Sequence, residues 1–253
     1  MFKNAIVRKP CKAMIEGLSD ADLGEPDFEK ACAQHDDYIE ALKECGLEVM
    51  VLEANEDYPD SCFVEDPALM TPHCAILTNP GAISRRGEVA LIKDAVSSFY
   101  ENVERIISPG FVEAGDIMMV GDHYYIGLSA RTNQQGADQM IAILEKYGMT
   151  GSVVTLSEVL HLKTGLGYLE NNNLVACGEF LAKPEFQKYD IIEIDPQMSY
   201  SANSVWINAT VLVPKGYSTT VQAIIKAGYA VREVNVSEYR KIDGGLSCLS
   251  LRF

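Results

Sequence analysis

The hydrophobic pattern of the chain repeats one motif three times: an amphipathic helix, a glycine and then an apolar strand. The motif occurs as LKECGLEVMVLE (42–53), LEKYGMTGSVVTL (144–156) and IKAGYAVREVN (225–235). A helical period that gives way to an apolar run after a glycine is typical of a helix that ends and leads into a strand. Each copy therefore predicts the second half of a strand-helix-strand unit.

Strand-like segments precede the predicted helices in a matching way. Apolar runs at 74–80, 117–129 and 204–214 lead into helices predicted at about 86–100, 134–147 and 218–227. A shorter fourth copy consists of LVACG, a brief helix near 180–188 and YDIIEID. The first unit begins with AIVRKP, and the closing GLSCLSLRF is a strand with no helix after it. The pattern predicts about five units.

The two chain ends distinguish two architectures. Pairing the first strand with the last would close the units into a five-unit pseudosymmetric α/β propeller, whose loops surround a central channel suited to an active site. An open doubly wound sheet with βαβ crossovers fits the same periodicity. No Pro-rich linker, low-complexity run or composition step divides the chain, so residues 1–253 are predicted to form a single domain.

Composition and charge exclude several classes of protein. Hydrophobic residues make up 47% of the 253, which suits a folded core rather than a disordered chain. The 36 acidic and 21 basic side chains give a net charge of −15, which argues against binding nucleic acid. No run approaches the ~18 apolar residues of a membrane span, and the start lacks the apolar region of a signal peptide. We expect a cytoplasmic protein without a membrane partner.

Motifs for nucleotide cofactors and metals are missing. The sequence has neither G-x-G-x-x-G nor a P-loop, and its seven cysteines include no C-x-x-C pair or histidine partner at metal-ligand spacing. Their odd number also gives no disulfide framework. The sequence therefore predicts no cofactor, no metal and mostly buried, reduced thiols.

Two residues have the setting of catalytic groups. Cys248 follows Gly244 and Gly245 and leads into a strand, so the glycines free the backbone while the strand fixes the thiol. His161 ends an apolar stretch just before a glycine turn. Core packing is the ordinary role of such residues, and both interpretations stay open at this level. The other three histidines are expected at the surface or in structural hydrogen bonds.

Carboxylates follow apolar residues directly in two places, FVED and FVEAGD. This pattern predicts partly buried acids, which need cationic partners or a raised pKa. Arg85, Arg86 and Arg131 lie at turns or strand exits, where a guanidinium could hold a ligand carboxylate or form a surface salt bridge.

The ordered set of motifs resembles one enzyme family. The set comprises FVED (63–66), SRRGE (84–88), E-x-G-D (113–116), S-x-RTN (129–133), HLKT (161–164) and GGLSCLSLRF (244–253), with LSDADLG near the start similar to a mobile lid. Over essentially its whole length the chain is similar to the dimethylarginine dimethylaminohydrolases, which belong to the superfamily of enzymes that modify guanidino groups. The resemblance implies a five-unit α/β propeller with its active site in the central channel, and a hydrolase of methylated arginines that needs no cofactor.

The resemblance also implies roles for individual residues. Cys248 matches the nucleophile, His161 the general acid and base, and Glu113 the acid paired with that histidine. Asp66 matches a guanidinium-binding carboxylate, and Glu65 beside it is assigned to the substrate site. The implied ligands for the far end of the substrate are Arg85 and Arg131 for the α-carboxylate, and Asp60 with the carbonyls of Leu18 and Ile242 for the α-amino group.

One departure from related enzymes concerns the substrate. Arginine deiminases of the superfamily usually carry H-x-D or H-x-E after the catalytic histidine, whereas this chain has Lys163 at that position. The missing carboxylate suits an N-methylated nitrogen, which has fewer hydrogens to donate, so methylarginines are favoured over arginine. The alternative is that a neighbouring acid replaces the missing carboxylate, in which case the chain is a deiminase-like hydrolase of arginine or agmatine. The predicted pair of carboxylate-binding arginines argues against agmatine, because agmatine has no carboxylate.

A second departure is Ala114, where relatives commonly carry glycine and where a methyl group could narrow the space beside Glu113. The non-enzymatic alternative is a silent binder of cationic amino acids, although a binder would not need Cys248, His161 and Glu113 together. Members of the family often pair their propellers, so a homodimer is an expectation.

Overall fold

A computed structural model describes all 253 residues and places fifteen strands in five sheets of three. The strands are β1 (Asn4–Arg8), β2 (Glu48–Leu52), β3 (Ala68–Met70), β4 (Ala75–Leu77), β5 (Val103–Arg105), β6 (Ile117–Val120), β7 (His123–Leu128), β8 (Thr150–Thr155), β9 (Leu166–Tyr168), β10 (Asn173–Ala176), β11 (Asp190–Glu193), β12 (Val205–Ile207), β13 (Thr210–Pro214), β14 (Ala230–Val234) and β15 (Leu251–Arg252). The α-helices are α1 (Phe28–Glu44), α2 (Glu88–Ser97), α3 (Gln134–Lys146), α4 (Ser218–Lys226) and α5 (Ser237–Arg240).

All five sheets share one topology. In four of them three consecutive strands pair in chain order, the first antiparallel to the second and the second parallel to the third, as in β3-β4-β5. The fifth sheet has the order β15-β1-β2, with Ile6 opposite Leu251 in an antiparallel pair and β1 parallel to β2. The last strand of the chain thus completes the sheet of the first. This pairing closes the ring, so the propeller is confirmed over the open doubly wound sheet.

Three helices end in the same way, at the repeated glycines that suggested the units. Gly46, Gly148 and Gly228 have φ values of 87°, 79° and 98°, in the left-handed region that favours glycine. In each case the residue after the glycine donates its N–H to the carbonyl of the residue five positions earlier, as Leu47 does to Leu42. These are Schellman caps, which satisfy the last helical carbonyls and turn the chain back toward its sheet.

The fourth unit differs from the others because it has no α-helix between its parallel strands. Two 3-10 turns, Gly178–Leu181 and Pro184–Phe186, stand where a brief helix near 180–188 was predicted. Pro184 lacks the N–H that a continuous helix would use, and Lys183 before it is extended, with φ −71° and ψ 127°. The prediction of a short connection was right, and its helical type was wrong.

The first strand of every unit faces the centre of the ring. Residues of β3, β6, β9, β12 and β15 together line a cavity of about 140 Å³, which we call the rear cavity. Buried apolar clusters lie outside these inner strands, the largest with 20 residues around α1. None of the helices combines the length and the apolar character that crossing a membrane requires.

Candidate active site

A small cavity of about 30 Å³ is lined by none of the residues that line the rear cavity. Cys248 and His161 line both this small cavity and an adjoining side cavity of about 440 Å³. Other sequence candidates line the small cavity as well: Leu18, Asp60, Asp66, Arg85, Arg131 and Ile242. The fold therefore gathers residues from five separate motifs around one space.

Cys248 lies in a single 3-10 turn, Ser247–Leu249, that leads directly into β15. Its N–H donates to the carbonyl of Gly245 at 3.2 Å, and its carbonyl accepts from the N–H of Glu65 at 3.2 Å. Burial and the nearby carboxylates of Glu65 and Asp66 raise the pKa of the thiol to about 12. Without a cation beside it, this cysteine is a protonated thiol at neutral pH.

His161 is buried, and its Nε2 lies 2.8 Å from Oε2 of Glu113. Burial alone would lower the pKa of the imidazole, but the charges of Asp66, Asp116 and Glu113 outweigh burial and raise it to about 9. Leu162, the next residue, donates its N–H to Oδ1 of Asp116 at 3.0 Å, which fixes the turn that carries the histidine. His161 is therefore a cation at neutral pH and can give up a proton.

Glu113 is fully buried and follows an extended segment that ends the connection between the second and third units. Its Oε1 accepts the N–H of Ala82 at 2.9 Å, while Oε2 faces His161. Nη1 of Arg131 approaches the same oxygen at 3.2 Å. These contacts fix the carboxylate beside the imidazole.

Asp66 is buried on the opposite side of His161. Its Oδ1 accepts the N–H of Gly115 at 3.0 Å, and its Oδ2 accepts from Nη1 of Arg85. Burial raises the pKa of this carboxyl, but the positive charges of Arg85 and His161 outweigh it and lower the pKa below its usual value. Asp66 is therefore an anion in the site.

Position 115 can only be glycine in this arrangement. A Cβ at Gly115 would lie 2.8 Å from Oδ1 of Asp66 and 2.8 Å from Nδ1 of His161. Ala114 beside it is buried in the apolar core with Val112 and Ile117, and it lines the rear cavity rather than either cavity that contains Cys248. The methyl group of Ala114 therefore lies outside the lining of both cavities that contain Cys248.

Arg85 lines the small cavity, but most of its donors bind the protein itself. Nε and Nη2 donate to the carboxylate of Glu88 at 3.0 and 2.8 Å, and Nη2 also reaches the carbonyl of Phe63 at 2.9 Å. Burial would lower the pKa of this guanidinium, yet Asp66 and Glu88 hold it above its ordinary value. Sequence reasoning did not identify Glu88 as a partner of Arg85, and the i+3 spacing of the two residues is the signal that could have indicated this ion pair.

Arg131 offers free donors toward the ligand. One fifth of its side chain is exposed, and only Nη1 contacts a protein carboxylate, that of Glu113. Nε and Nη2 have no protein partner. Among the two arginines predicted to hold a carboxylate, Arg131 is thus the one with a guanidinium edge available.

The acceptors predicted for an α-amino group lie together under the lid. Oδ1 of Asp60 accepts the N–H of Leu18 at 3.0 Å, and burial raises the pKa of this carboxyl. The carbonyls of Leu18 and Ile242 accept no internal hydrogen bond. The lid is also tied down by Asp20, whose N–H donates to Oδ2 of Asp243 at 2.6 Å. Leu18, from the segment that resembles the lid, thus forms part of the lining of the small cavity.

Glu65 lies deeper in the channel than the other predicted site residues. Its Oε1 contacts Nζ of Lys163 at 2.6 Å, and its Oε2 accepts from the hydroxyl of Ser247 at 2.9 Å. It lines the side and rear cavities but not the small one. Its neighbour in sequence, Asp66, lines the small cavity instead, so the turn that precedes β3 directs the two carboxylates to different cavities.

Asp66, Glu113 and His161 are close enough to be considered as a metal site, since their ligand atoms lie within 4.8 Å of one another. However, Arg85 already binds Asp66, Arg131 approaches Glu113, and His161 has a raised pKa. Metal ligands must be deprotonated, and adjacent guanidinium groups repel a cation. The three residues fit a cationic organic group between carboxylates better than a metal ion.

Two buried polar residues that hydrogen-bond to the site loops were missed by sequence reasoning. Asp116 was noted only as part of an acidic pattern, yet it is buried and holds both the turn after His161 and the hydroxyl of Ser129, the latter at 2.7 Å. Asn203 has no motif around it, and its contacts with Ser247 and Lys163 arise only in the folded ring. The E-x-G-D motif could have indicated Asp116; no local signal indicates Asn203.

Comparison with known proteins gives a consistent assignment. The family model described as N,N dimethylarginine dimethylhydrolase, eukaryotic, matches residues 24–248. The N(G),N(G)-dimethylarginine dimethylaminohydrolase of Pseudomonas aeruginosa is 59% identical over 254 residues, covering 100% of both chains. The enzyme of the same name from Streptomyces coelicolor is 31% identical, covering 99% of this chain and 96% of its own.

Solved structures agree with the sequence relatives. A Pseudomonas aeruginosa enzyme complexed with citrulline superposes with a TM-score of 0.99 at 59% identity, covering 100% of both chains. The N-terminal domain of ArgZ, an arginine dihydrolase from cyanobacteria, superposes with a TM-score of 0.88 at 19% identity, covering 98% of this chain and 96% of that one, and shows the fold alone. The ring, the gathered side chains and the full-length identity lead to one conclusion: the chain belongs to the dimethylarginine dimethylaminohydrolase family.

Proposed function

We propose that this protein hydrolyses Nω-methylated arginines, asymmetric dimethylarginine and monomethylarginine, to citrulline and a methylamine. The observation that carries the proposal is that Cys248, His161 and Asp66 line one cavity in a member of this family, with the buried carboxylate of Glu113 held against His161. A guanidinium is delocalised and resists attack, so it must be held flat by carboxylates while a nucleophile approaches its central carbon. Asp66 and Glu113 supply the carboxylates.

The reaction would begin when the substrate cation enters the small cavity. Its positive charge beside Cys248 lowers the thiol pKa, which burial and carboxylates hold near 12 in the free protein. The thiolate then attacks the guanidinium carbon. Protonated His161, with its pKa near 9, donates a proton to the methylamine nitrogen as the bond from carbon to that nitrogen breaks.

The covalent amidino-thioether that remains is then hydrolysed. Neutral His161 takes a proton from a water molecule, the resulting hydroxide adds to the carbon, and the carbon–sulfur bond breaks to release citrulline. Glu113, at 2.8 Å from the imidazole, stabilises the charged form of His161 in both halves. The histidine thus acts first as an acid and then as a base.

The far end of the substrate would be bound by the other residues of the small cavity. Arg131 offers its free guanidinium edge to the α-carboxylate, while Arg85 contributes charge and at most one remaining donor. Asp60 and the carbonyls of Leu18 and Ile242 would accept from the α-amino group. Glu65, with both oxygens engaged deeper in the channel, would act on the substrate through Lys163 and Ser247 rather than by contact.

Lys163 supports methylarginine as the substrate over arginine. A carboxylate at this position would add an acceptor for a second guanidinium nitrogen, whereas Nζ of Lys163 is a donor already paired with Glu65. An arginine or agmatine hydrolase and a silent binder are the alternatives.

We further propose that residues 1–253 act as one catalytic domain, because the first and last strands of the chain share a sheet. Cytoplasmic location and a homodimer stay predictions.

A single assay tests the proposal. Purified protein incubated with asymmetric dimethylarginine should release citrulline and dimethylamine in equal amounts, and the kcat/KM for this substrate should exceed that for arginine. Cys248→Ser should abolish turnover, because a hydroxyl in place of the thiol is a poor nucleophile here. Preference for arginine would favour the deiminase-like alternative, and binding without citrulline would favour the silent binder.

A further inference from the structure

Asn203 connects the two loops that carry the proposed catalytic residues. Its Oδ1 accepts the N–H of Ser247, next to Cys248, at 2.9 Å. Its Nδ2 donates to the hydroxyl of Ser247 at 3.0 Å and to the carbonyl of Lys163, in the turn after His161, at 2.7 Å. The side chain is buried, and these three bonds use its acceptor and both amide hydrogens.

The backbone around Cys248 packs directly on this amide. A Cβ at Gly245 would lie 2.5 Å from Oδ1 of Asn203 and 2.7 Å from its Cγ, so only glycine permits the approach. The carbonyl of Gly245 in turn accepts the N–H of Cys248 at 3.2 Å. Movement of the Asn203 amide would therefore move the turn that holds the thiol.

Glu65 completes a closed circuit with the same two loops. It accepts from Ser247 at 2.9 Å and from Nζ of Lys163 at 2.6 Å, while Asn203 donates to Ser247 and to the Lys163 carbonyl. These four residues line both the side cavity and the rear cavity, so the circuit forms the wall between them. Of the four, Asn203 alone comes from a segment that contains no family motif.

We propose that Asn203 is a positioning residue that fixes Cys248 relative to His161. The proposal rests on the roles assigned above to those two residues. Asn203 does not line the small cavity, so it acts through the loops and not by touching the amino-acid end of the substrate. A displacement of about 1 Å between reacting groups is enough to lower a rate about 100-fold, which is the kind of error this amide prevents.

The chemistry of the position explains why an asparagine stands there. The site needs one acceptor, for the Ser247 N–H, and two donors, for the Ser247 hydroxyl and the Lys163 carbonyl. An aspartate of nearly the same shape supplies only acceptors, and it adds a negative charge close to Cys248. The substitution Asn203→Asp therefore removes both donor bonds without creating a cavity.

Asn208 provides a matched control in the same protein. Its Oδ1 accepts the N–H of Phe2 at 2.9 Å, and its Nδ2 donates to the carbonyls of Phe2 and Cys45 at 3.1 and 2.9 Å. Like Asn203 it makes three bonds between segments distant in sequence, but it lines none of the three cavities. Asn208→Asp therefore reports the cost of losing two equivalent donors away from the site.

The experiment compares the two variants by steady-state kinetics and by the rate at which iodoacetamide alkylates Cys248, measured by peptide mass spectrometry over a range of pH. We expect Asn203→Asp to lower kcat about 10- to 100-fold with KM changed less than about 2-fold, and to move the alkylation profile to higher pH. Asn208→Asp should leave both measurements at wild-type values. Asn203→Ser removes the donor to the Lys163 carbonyl without adding a charge, so it should also lower kcat, and it keeps the proposal testable if Asn203→Asp does not fold.

Two outcomes would overturn the proposal. The first is that the folded Asn203 variant keeps the kcat and the alkylation profile of the wild-type protein. The second is that Asn208→Asp loses as much kcat as the Asn203 variant, which would assign the effect to general destabilisation. The alkylation measurement needs no substrate. If the wild-type protein produced no citrulline, the proposed function would fail, while the alkylation profiles would still decide the role of Asn203.

Discussion

His161 and Glu113 form a buried contact, Nε2 to Oε2 at 2.8 Å, that acts together with the charges of Asp66 and Asp116 to keep the histidine protonated at neutral pH. Because its pKa is about 9 against an ordinary 6.5, the acid form is present below pH 9 and is lost as the pH rises through that value. The first half of the proposed reaction needs this acid form. The kcat should therefore fall as the pH rises, with a midpoint near pH 9.

Glu113→Gln should move the alkaline limb of the pH profile to lower pH. Removing the carboxylate takes away one of the negative charges that raise the pKa of His161, and it also lowers kcat because a guanidinium ligand is lost. Steady-state rates between pH 6 and 10 measure the limb. Glu104→Gln, which removes the partly buried partner of Lys146, is the control and should leave the profile unchanged. An unmoved limb in Glu113→Gln would mean that another group titrates there.

Gly115→Ala and Ala114→Gly form a pair with opposite expectations. The methyl group at 115 would lie 2.8 Å from both Asp66 and His161, so it must displace one of them, and kcat should fall about 100-fold. Ala114→Gly removes a buried methyl away from Cys248 and should cost about 1 kcal/mol in the free energy of unfolding with kcat unchanged. Assay and urea titration of both variants give the comparison; a large loss of kcat in Ala114→Gly would contradict it.

The two arginines of the small cavity should respond differently to neutral substitution. Arg131→Met should raise KM with a small effect on folding, because its free guanidinium edge faces the ligand. Arg85→Met should destabilise the protein by about 3–5 kcal/mol, because it leaves the buried carboxylates of Asp66 and Glu88 without their cation. Thermal melts and KM values separate the two effects, and equal melting temperatures would show that Arg85 is not a structural ion-pair partner.

His35 should make the protein less stable in acid. The sequence suggested a polar helix face, but the structure buries this residue, and its Nε2 has no hydrogen-bond partner. Burial lowers its pKa to about 4 from 6.5, so the unfolded state binds the proton more tightly and stability falls as the pH drops from about 6.5 toward 4. The loss between pH 7 and pH 5 from this residue is about 2 kcal/mol.

Urea unfolding at the two pH values tests the role of His35. In His35→Gln, which does not titrate, the difference in unfolding free energy between pH 7 and pH 5 should shrink by about that 2 kcal/mol. His73→Gln is the control, because the side chain of that histidine is exposed to solvent. The same pH difference in wild type and His35→Gln would assign the acid sensitivity to other groups.

The units of the fold could be predicted because their signals are local. Helices predicted at 134–147 and 218–227 were found at Gln134–Lys146 and Ser218–Lys226, each ended by a glycine in the left-handed region. The fourth unit was the exception, since a proline changed its helix into 3-10 turns. Closure of the ring could be suggested from an unpaired last strand, but only the register of β15 with β1 decided it.

The sequence by itself determined the set of candidate catalytic residues, because the motifs around Cys248, His161 and Glu113 occur in the order that the family resemblance implies. Only the tertiary structure decided which partner each charged group takes. Arg85 binds Glu88 and Asp66, Glu65 turns away toward Lys163, and Asn203 joins two loops 40 and 44 residues away. The physical reason is range: helix periods and glycine caps depend on neighbours a few residues apart, whereas ion pairs and buried amides depend on which loops meet when the ring closes.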